Sequence, residues 1–198
     1  RGVGMVSEWA VMEEEDTLYL NYYGDFSCET KSGVEIRVSG GYPANSTVTV
    51  RLKSQGVRRV AFRIPAWSAH TTVQEGGESF PVEAGGYWVA ERQWNGGELK
   101  ISFDFTPRTL RGEGECAGKL SVYAGPVLYG YDLSLGCPYS LEEVPAVAEP
   151  VQAQAAPEPG PRGRLLLRLE GGLTLCDFYH LGMTGSAYRT WLPCREED

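Results

Sequence analysis

A chain of 198 residues with 42% hydrophobic and 11% aromatic content carries enough apolar material for one large all-β domain or two units of roughly 100 residues each. Its formal net charge of -8 at pH 7 argues against a nucleic-acid partner, because neutralising phosphates takes clustered Lys and Arg. The pairs Arg58-Arg59 and Arg162 with Arg164 are too short to reverse that balance. No apolar run approaches the length needed to cross a bilayer, about 18 residues, so no membrane partner is expected.

The N-terminal stretch RGVGMVSEWAV lacks the positive, apolar, small-residue order of a signal peptide. The first Met is Met5, inside a segment that already reads as strand, so the chain is expected to be a fragment of a longer protein. Strand alternation then dominates. Leu18, Leu20 and Tyr22 alternate with Tyr19, Asn21 and Tyr23; Val34, Ile36 and Val38 alternate with Glu35, Arg37 and Ser39; Val48, Val50 and Leu52 alternate with Thr49, Arg51 and Lys53. In VAFRIPAW, Val60, Phe62 and Ile64 form one apolar row before Pro65 stops the ladder and Trp67 follows. The clearest row is Leu99, Ile101, Phe103 and Phe105 against Lys100, Ser102, Asp104 and Thr106, one face in a core and one in water. Gly- and Asn-rich connectors separate these runs, and Asn95-Gly96 between YWVAERQW and ELKISFDF predicts a tight hairpin. No sustained 3.6-residue periodicity occurs; Ser140–Val144 holds at most a helical turn. Residues 144–163, VPAVAEPVQAQAAPEPGPRG, are rich in Pro and Ala without an apolar period, which predicts a mobile insertion. Strand character resumes at RLLLRLEGGLTL.

Several functional classes fail on residue chemistry. Five cysteines, Cys28, Cys116, Cys137, Cys176 and Cys194, contain no C-x-x-C pair and leave an odd number, the pattern of free thiols in a reducing, cytoplasmic compartment. Cys176 and His180 are four apart, but no third or fourth metal ligand stands near them. A glycosidase needs two carboxylates about 5–9 Å apart, one with a raised pKa. The candidates, Glu13 to Asp16, Glu113 with Glu115, and Glu142-Glu143, all sit in charged or Gly-rich runs that read as solvated. Neither His70 nor His180 follows a G-x-S-x-G elbow, and Gly2-Val3-Gly4 lacks the third glycine of a dinucleotide loop. Asn45-Ser46-Thr47 is a formal glycosylation sequon that reads more simply as a turn before a strand. The aromatics carry the remaining chemistry. Trp67, Tyr87, Trp88 and Trp94 are candidates for a carbohydrate or interdomain contact, with core packing as the competing role. Tyr87 and Trp88, adjacent on a strand, must point to opposite faces. An immunoglobulin-type domain would want a Cys28–Cys116 bridge around Trp67.

Five segments in order resemble the β-L-arabinofuranosidase-like proteins of glycoside hydrolase family 127. DTLYLNYYG (Asp16–Gly24) is similar to that family's LYVNLY strand, and FRIPAW (Phe62–Trp67) to its LRIPGW. GGYWVAERQWNGGELKISFDFTPR (Gly85–Arg108) resembles its GY..I.R.W..GD.V.L.L.M.PR, and GKLSVYAGPVLYGYD (Gly118–Asp132) its G.VAL.RGPLVY. CDFYHLGMTGSAYRTWLP (Cys176–Pro193) resembles the closing PYY.W.NRG...M.VW.P, although the Trp of PYY.W is absent here. The resemblance implies the C-terminal β-sandwich region of a bacterial enzyme of carbohydrate metabolism. In such an enzyme an (α/α)6 helical barrel carries the chemistry, through a glutamate acid/base and a zinc-bound cysteine nucleophile. It further implies that the barrel's Cys-Cys pair precedes the LYVNLY strand, and this chain contains no Cys-Cys. No catalytic, metal or cofactor residue is therefore assigned to any position.

The expectation is an all-β, predominantly antiparallel chain with little helix, in two sandwich-like units over residues 1–107 and 108–198, the second bearing the mobile insertion near 144–163. Its expected role is a non-catalytic accessory region whose partner is the N-terminal (α/α)6 barrel of the same protein. The alternative is a carbohydrate-binding module that takes an oligosaccharide on exposed Trp and Tyr.

Overall fold

The computed structural model describes residues 5, 8–136 and 138–195, so Gly2-Val3-Gly4 and Cys137 lie outside the described residues. The all-β, mainly antiparallel expectation holds: strands dominate and group into two eight-stranded sheets. The chain divides into two compact units, Arg1–Asp104 and Phe105–Asp198.

The first unit is organised on two long strands, β5 (Thr47–Ile64) and β8 (Gly86–Ser102), which pair antiparallel along nearly their whole length. Alternation places Val48, Val50, Leu52, Val60, Phe62 and Ile64 of β5 in the core. Burying each such side chain contributes about 1.5–3 kcal/mol before entropy is counted. The first half of β5 borders β4 (Glu35–Ser39), which carries β3 (Phe26–Glu29) on its far side. The second half borders β2 (Thr17–Leu20) in parallel, and β1 (Val11–Glu14) pairs with β2. The hairpin of β6 (Thr72–Glu75) and β7 (Glu78–Pro81) adds to the far end of β8.

Asn95-Gly96 does not make the hairpin that its composition predicts. Both residues lie inside β8, where the register against β5 slips between Arg51↔Glu98, Lys53↔Asn95 and Val57↔Gln93. Gly96 has φ +78°, the left-handed conformation that a bulge requires as much as a turn does. Ser54, buried at this slip, donates its hydroxyl to the Gly56 carbonyl at 2.6 Å and accepts the Trp94 N–H at 3.1 Å. A bulge bends its strand, so one continuous ribbon serves where two separate strands were expected. Pro65 does end β5 as expected: the Ser68 N–H donates to its carbonyl at 3.0 Å, closing a turn.

In the second unit, β9 (Arg108–Arg111), β10 (Lys119–Ala124), β11 (Val127–Asp132), β12 (Glu158–Pro159), β13 (Leu165–Arg168), β14 (Thr174–Asp177), β15 (Tyr188–Arg189) and β16 (Leu192–Pro193) form one sheet. Its main path runs β12-β13-β14-β11-β10-β16, with β9 paired to β10 and β15 to β11. At the β10–β11 turn Gly125 has φ +55°, and a Cβ there would lie 2.6 Å from the Phe105 ring, so only glycine fits.

The stretch over 144–163 differs from its expectation as a mobile insertion. Val144, Val147 and Val151 are buried in the same core cluster as Leu120, Val122, Tyr129, Leu167 and Leu175. The Val147 N–H donates to the Pro193 carbonyl at 2.8 Å, and the Arg195 N–H returns to the Val147 carbonyl at 2.9 Å. Further along, the Gln154 N–H donates to Arg168 O and the Glu170 N–H to Gln152 O, each at 2.9 Å. The segment is thus a strap laid from β16 to β13, and its valines form the layer that closes the core. Glu149 fastens its middle to β9 by accepting from the Thr109 hydroxyl and the Arg111 guanidinium.

Candidate functional site

The four aromatics singled out in the sequence have different fates. Trp94 is only 5% exposed, its indole N–H donates to the Arg58 carbonyl at 3.1 Å, and the Arg92 guanidinium lies 4.2 Å from its ring centroid. It is a core residue, which corrects its candidacy as a ligand contact: neither ring face is open to a sugar. Trp88 is half-buried against Phe62 and Phe80, with centroids 5.0 and 5.7 Å away. Trp67 is half-buried and packs on Phe103 at 6.0 Å. Tyr87, on the opposite face from Trp88, is 46% exposed.

Tyr87 therefore carries what recognition chemistry this group offers. Its hydroxyl donates to Asn21 Oδ1 at 2.7 Å, and its ring meets Tyr19 edge-on at 5.4 Å. With Met12, Glu13 and Glu14 these residues line a shallow cleft of about 390 Å³. A roomier cleft of about 820 Å³ lies beside it, with Ala10, Val11, Met12, Tyr22, Phe26 and Cys28 in its wall. Met12, Tyr22 and Trp9 in this region are 49%, 41% and 49% exposed, an apolar concentration that marks interaction surface more often than bare solvent face. The alternation of β1 and β2 gives no warning of it, since Met12 lies on the exposed side of β1 while Trp9 precedes that strand and Tyr22 follows β2.

The carboxylates named in the sequence lie at the surface, Glu13 to Asp16 among them. Glu113, Glu115, Glu142 and Glu143 are exposed. Burial pushes the Glu13 carboxyl up, but hydrogen bonds from Ser32 and Thr30 outweigh it and hold it below the usual range. Burial also pushes Asp132 up, and bonds from the Ser186 hydroxyl, the Gly182 N–H and Ser134 more than reverse it, to about 2. The Glu149 carboxyl, held by Thr109 and Arg111, is lowered as well. These three displaced carboxyls thus move opposite to the direction a general acid needs.

His70 is exposed. His180 is not partnered by Cys176; its Nδ1 lies 2.6 Å from Asp177 Oδ2. Asp177 also accepts the Leu165 N–H at 2.8 Å, so the carboxylate pins β13 as well as the histidine. An oriented histidine is half of a nucleophile-activating pair, yet no hydroxyl or thiol bonds its Nε2 among the described residues. Cys176 is fully buried, and burial, with Asp132 as the next contribution, pushes its thiol up to about 12. It stays protonated and inert at neutral pH. Among the described residues no group of three or more His, Cys, Asp or Glu is placed to hold a metal ion. Cys28 and Cys116 are free thiols, which removes the immunoglobulin-type bridge. Asn45 spends its side-chain N–H₂ on the Gly40 carbonyl at 2.7 Å, in keeping with its reading as a turn residue.

One constellation escaped sequence reasoning. Ser134, Arg162, Arg164, Arg168, Thr174 and Thr184 come from separate stretches of the second unit and line a cleft of about 560 Å³. Arg164 is 6% exposed and donates from Nη2 to Ser134 Oγ at 2.9 Å. The only signal in the sequence was the short Arg162/Arg164 pair.

Residues 17–106 match the family model described as "Beta-L-arabinofuranosidase, GH127 middle domain". In fold, the chain is similar to a GH127 β-L-arabinofuranosidase from Geobacillus stearothermophilus T6, with 19% identity and a TM-score of 0.78 over 98% of this chain and 36% of that one. A GH127 β-arabinofuranosidase is similar at 18% identity and TM-score 0.77, over 94% of this chain and 36% of that one. A protein described as a glycoside hydrolase is similar at 20% identity and TM-score 0.78, over 98% and 38% of the two chains. The chain thus spans little more than a third of the length of these solved relatives. A search of curated proteins gave no match.

Proposed function

We propose that this chain is a non-catalytic accessory region of a carbohydrate-active enzyme resembling the family 127 β-L-arabinofuranosidases, and that its partner is a helical-barrel domain of the same protein. The observation that carries the reading is the match of residues 17–106 to a middle-domain model, in a chain that covers 36% of a solved relative. Two features support it. No described carboxyl is displaced toward the raised pKa of a glycosidic acid, and the apolar cleft beside Met12 and Tyr22 offers a neighbouring domain a surface to cover. On this reading the zinc chemistry implied by the resemblance belongs to the barrel, and this chain supplies no ligand to it. The test is hydrolysis of an aryl β-L-arabinofuranoside by the purified chain. The expected rate equals the protein-free blank, and turnover above it overturns the non-catalytic assignment.

A second reading has one observation in its favour. Tyr87, Tyr19 and Asn21 beside Glu13 and Glu14 combine a ring edge, an amide and carboxylates, the mixture that holds a sugar's apolar face and hydroxyls. Calorimetric titration with an arabinose-containing oligosaccharide detects it, and heat that survives in Tyr87→Ala rules this ledge out as the site.

A further inference from the structure

We propose that the cleft between β13, β14 and the turn after β11 is an oxyanion-binding site, shaped for the carboxylate of an acidic sugar. Its lining holds three arginines and three hydroxyl side chains, and no Asp or Glu. That composition runs against the chain around it. Residues 105–198 contain 12 Asp and Glu against 8 Lys and Arg, and yet three of those eight cations face one cavity. Like charges lining one cleft repel one another, and the arrangement gains stability when an anion enters.

Two of the arginines are held in ways that cost free energy. Arg164 keeps its guanidinium in a nearly closed environment, where an ion loses much of its hydration. Its Nη2 donates to a neutral hydroxyl, Ser134 Oγ; the nearby buried carboxylates Asp132 and Asp177 are taken up by Ser134 N, Gly182 N, Ser186 Oγ, Leu165 N and His180. Arg162 adopts φ +61°, ψ +26°, the left-handed region that residues with a Cβ seldom enter and that concentrates at ligand-clamping sites. It is exposed and makes no ion pair or hydrogen bond among the described residues. Arg168 is the exception: its Nε donates to Glu158 Oε1 at 2.8 Å on the half-exposed rim, while the residue also lines the cleft. Arginine forks match planar oxyanions two bonds at a time. At about 560 Å³ the cavity falls within the roughly 300–1,000 Å³ range of small-molecule sites, more room than a bare ion fills. Ser134, Thr174 and Thr184 supply the donors and acceptors that a ring's hydroxyls would need. The saccharide part of the proposal rests on the accessory-region reading above, whereas the oxyanion part stands without it.

Calorimetric titration of the full chain at low ionic strength, with digalacturonate, the matching neutral disaccharide and inorganic phosphate, tests both parts. Digalacturonate is expected to bind and the neutral sugar not to. Arg162→Glu, a change at an exposed position that leaves the core intact, is expected to weaken binding by at least about tenfold, as loss of a charge-assisted bond implies. Thr184→Ala is expected to weaken digalacturonate more than phosphate. No heat with either anion overturns the proposal, as does binding unchanged in Arg162→Glu. Phosphate binding as tightly as digalacturonate, with both lost in Arg162→Glu, overturns the saccharide part. Turnover in the arabinofuranoside assay would remove the accessory reading without touching these titrations.

Discussion

Asp132 shows how much one buried side chain can organise. It has no exposed surface, and its two oxygens accept from the Ser134 N–H at 2.8 Å, the Gly182 N–H at 2.8 Å and the Ser186 hydroxyl at 2.5 Å. These bonds tie the end of β11 to the loop over 182–186, far away in sequence. They also decide the contest over its charge, holding the carboxyl at about 2 despite burial. Since the folded value lies below the ordinary value of 3.8, the ionised form stabilises the second unit. That stabilisation is complete above about pH 4 and fades as pH falls toward 2. Its size is on the order of 2 kcal/mol. Thermal unfolding of Asp132→Asn should therefore show a lower Tm than wild type at pH 6, with the gap closing between pH 4 and pH 2.5. A gap that persists unchanged at the acid end would show that the carboxylate charge is not what matters. GYDLSLG contains the Ser134 bond but not the tie, because the other two Asp132 partners are 50 and 54 residues away. What the sequence does show at this scale is which face a side chain takes. The opposition of Tyr87 and Trp88 follows from period two alone, but whether a face is then covered does not, and so Trp94 was misjudged.

At the scale of elements, local signals succeed where one stretch determines its own geometry. The alternating rows in β2, β4, β5 and β8 are such cases. They fail where the same local chemistry serves two outcomes. Asn95-Gly96 requests a positive φ, and Gly96 takes it, but a bulge in an unbroken ribbon satisfies that request as well as a hairpin does. The strap fails for a different reason. Val144, Val147 and Val151 stand at i, i+3 and i+7, a helical spacing, but Pro145 and Pro150 break any helix there, and only packing against Leu120, Tyr129 and Leu167 gives them a place. Their packing makes a sharp prediction. Val151→Ala should destabilise the second unit by about 1.5–3 kcal/mol, the burial value of the side chain. Ala155→Asp, in the exposed part of the same segment, should change stability by less than about 0.5 kcal/mol. Urea unfolding of both variants decides: equal midpoints would mean that the strap is an ornament on an already complete core.

For the whole molecule, the family resemblance was legible in the strand motifs within residues 17–106, the part that a family model matches. The arginine cleft was not, because it exists only after β11, β13 and β14 lie side by side. The same non-local character governs how the chain reaches its fold. β5 and β8 join residues that are 55 apart at their open end, Thr47 and Ser102, and no helix-rich nucleus shortens that search. Sheets built on such pairings fold in about milliseconds to seconds rather than microseconds. Stopped-flow refolding followed by tryptophan fluorescence should show that range, with Trp9, Trp67, Trp88 and Trp94 reporting the first unit and Trp191 the second. A complete signal change within the first hundred or so microseconds would contradict it.

Cys176 has a consequence outside recognition and stability. Its sulfur is sealed inside β14, between the strands that hold the arginine cleft, while Cys28 in the other unit is exposed. An alkylating reagent can reach Cys176 only during the moments when that strand has left the sheet. Read peptide by peptide in a mass spectrometer, the lag of Cys176 behind Cys28 becomes a native clock for breathing of the second unit. Any ligand that seats itself between β13 and β14 should slow that clock without a label, a tag or a substitution.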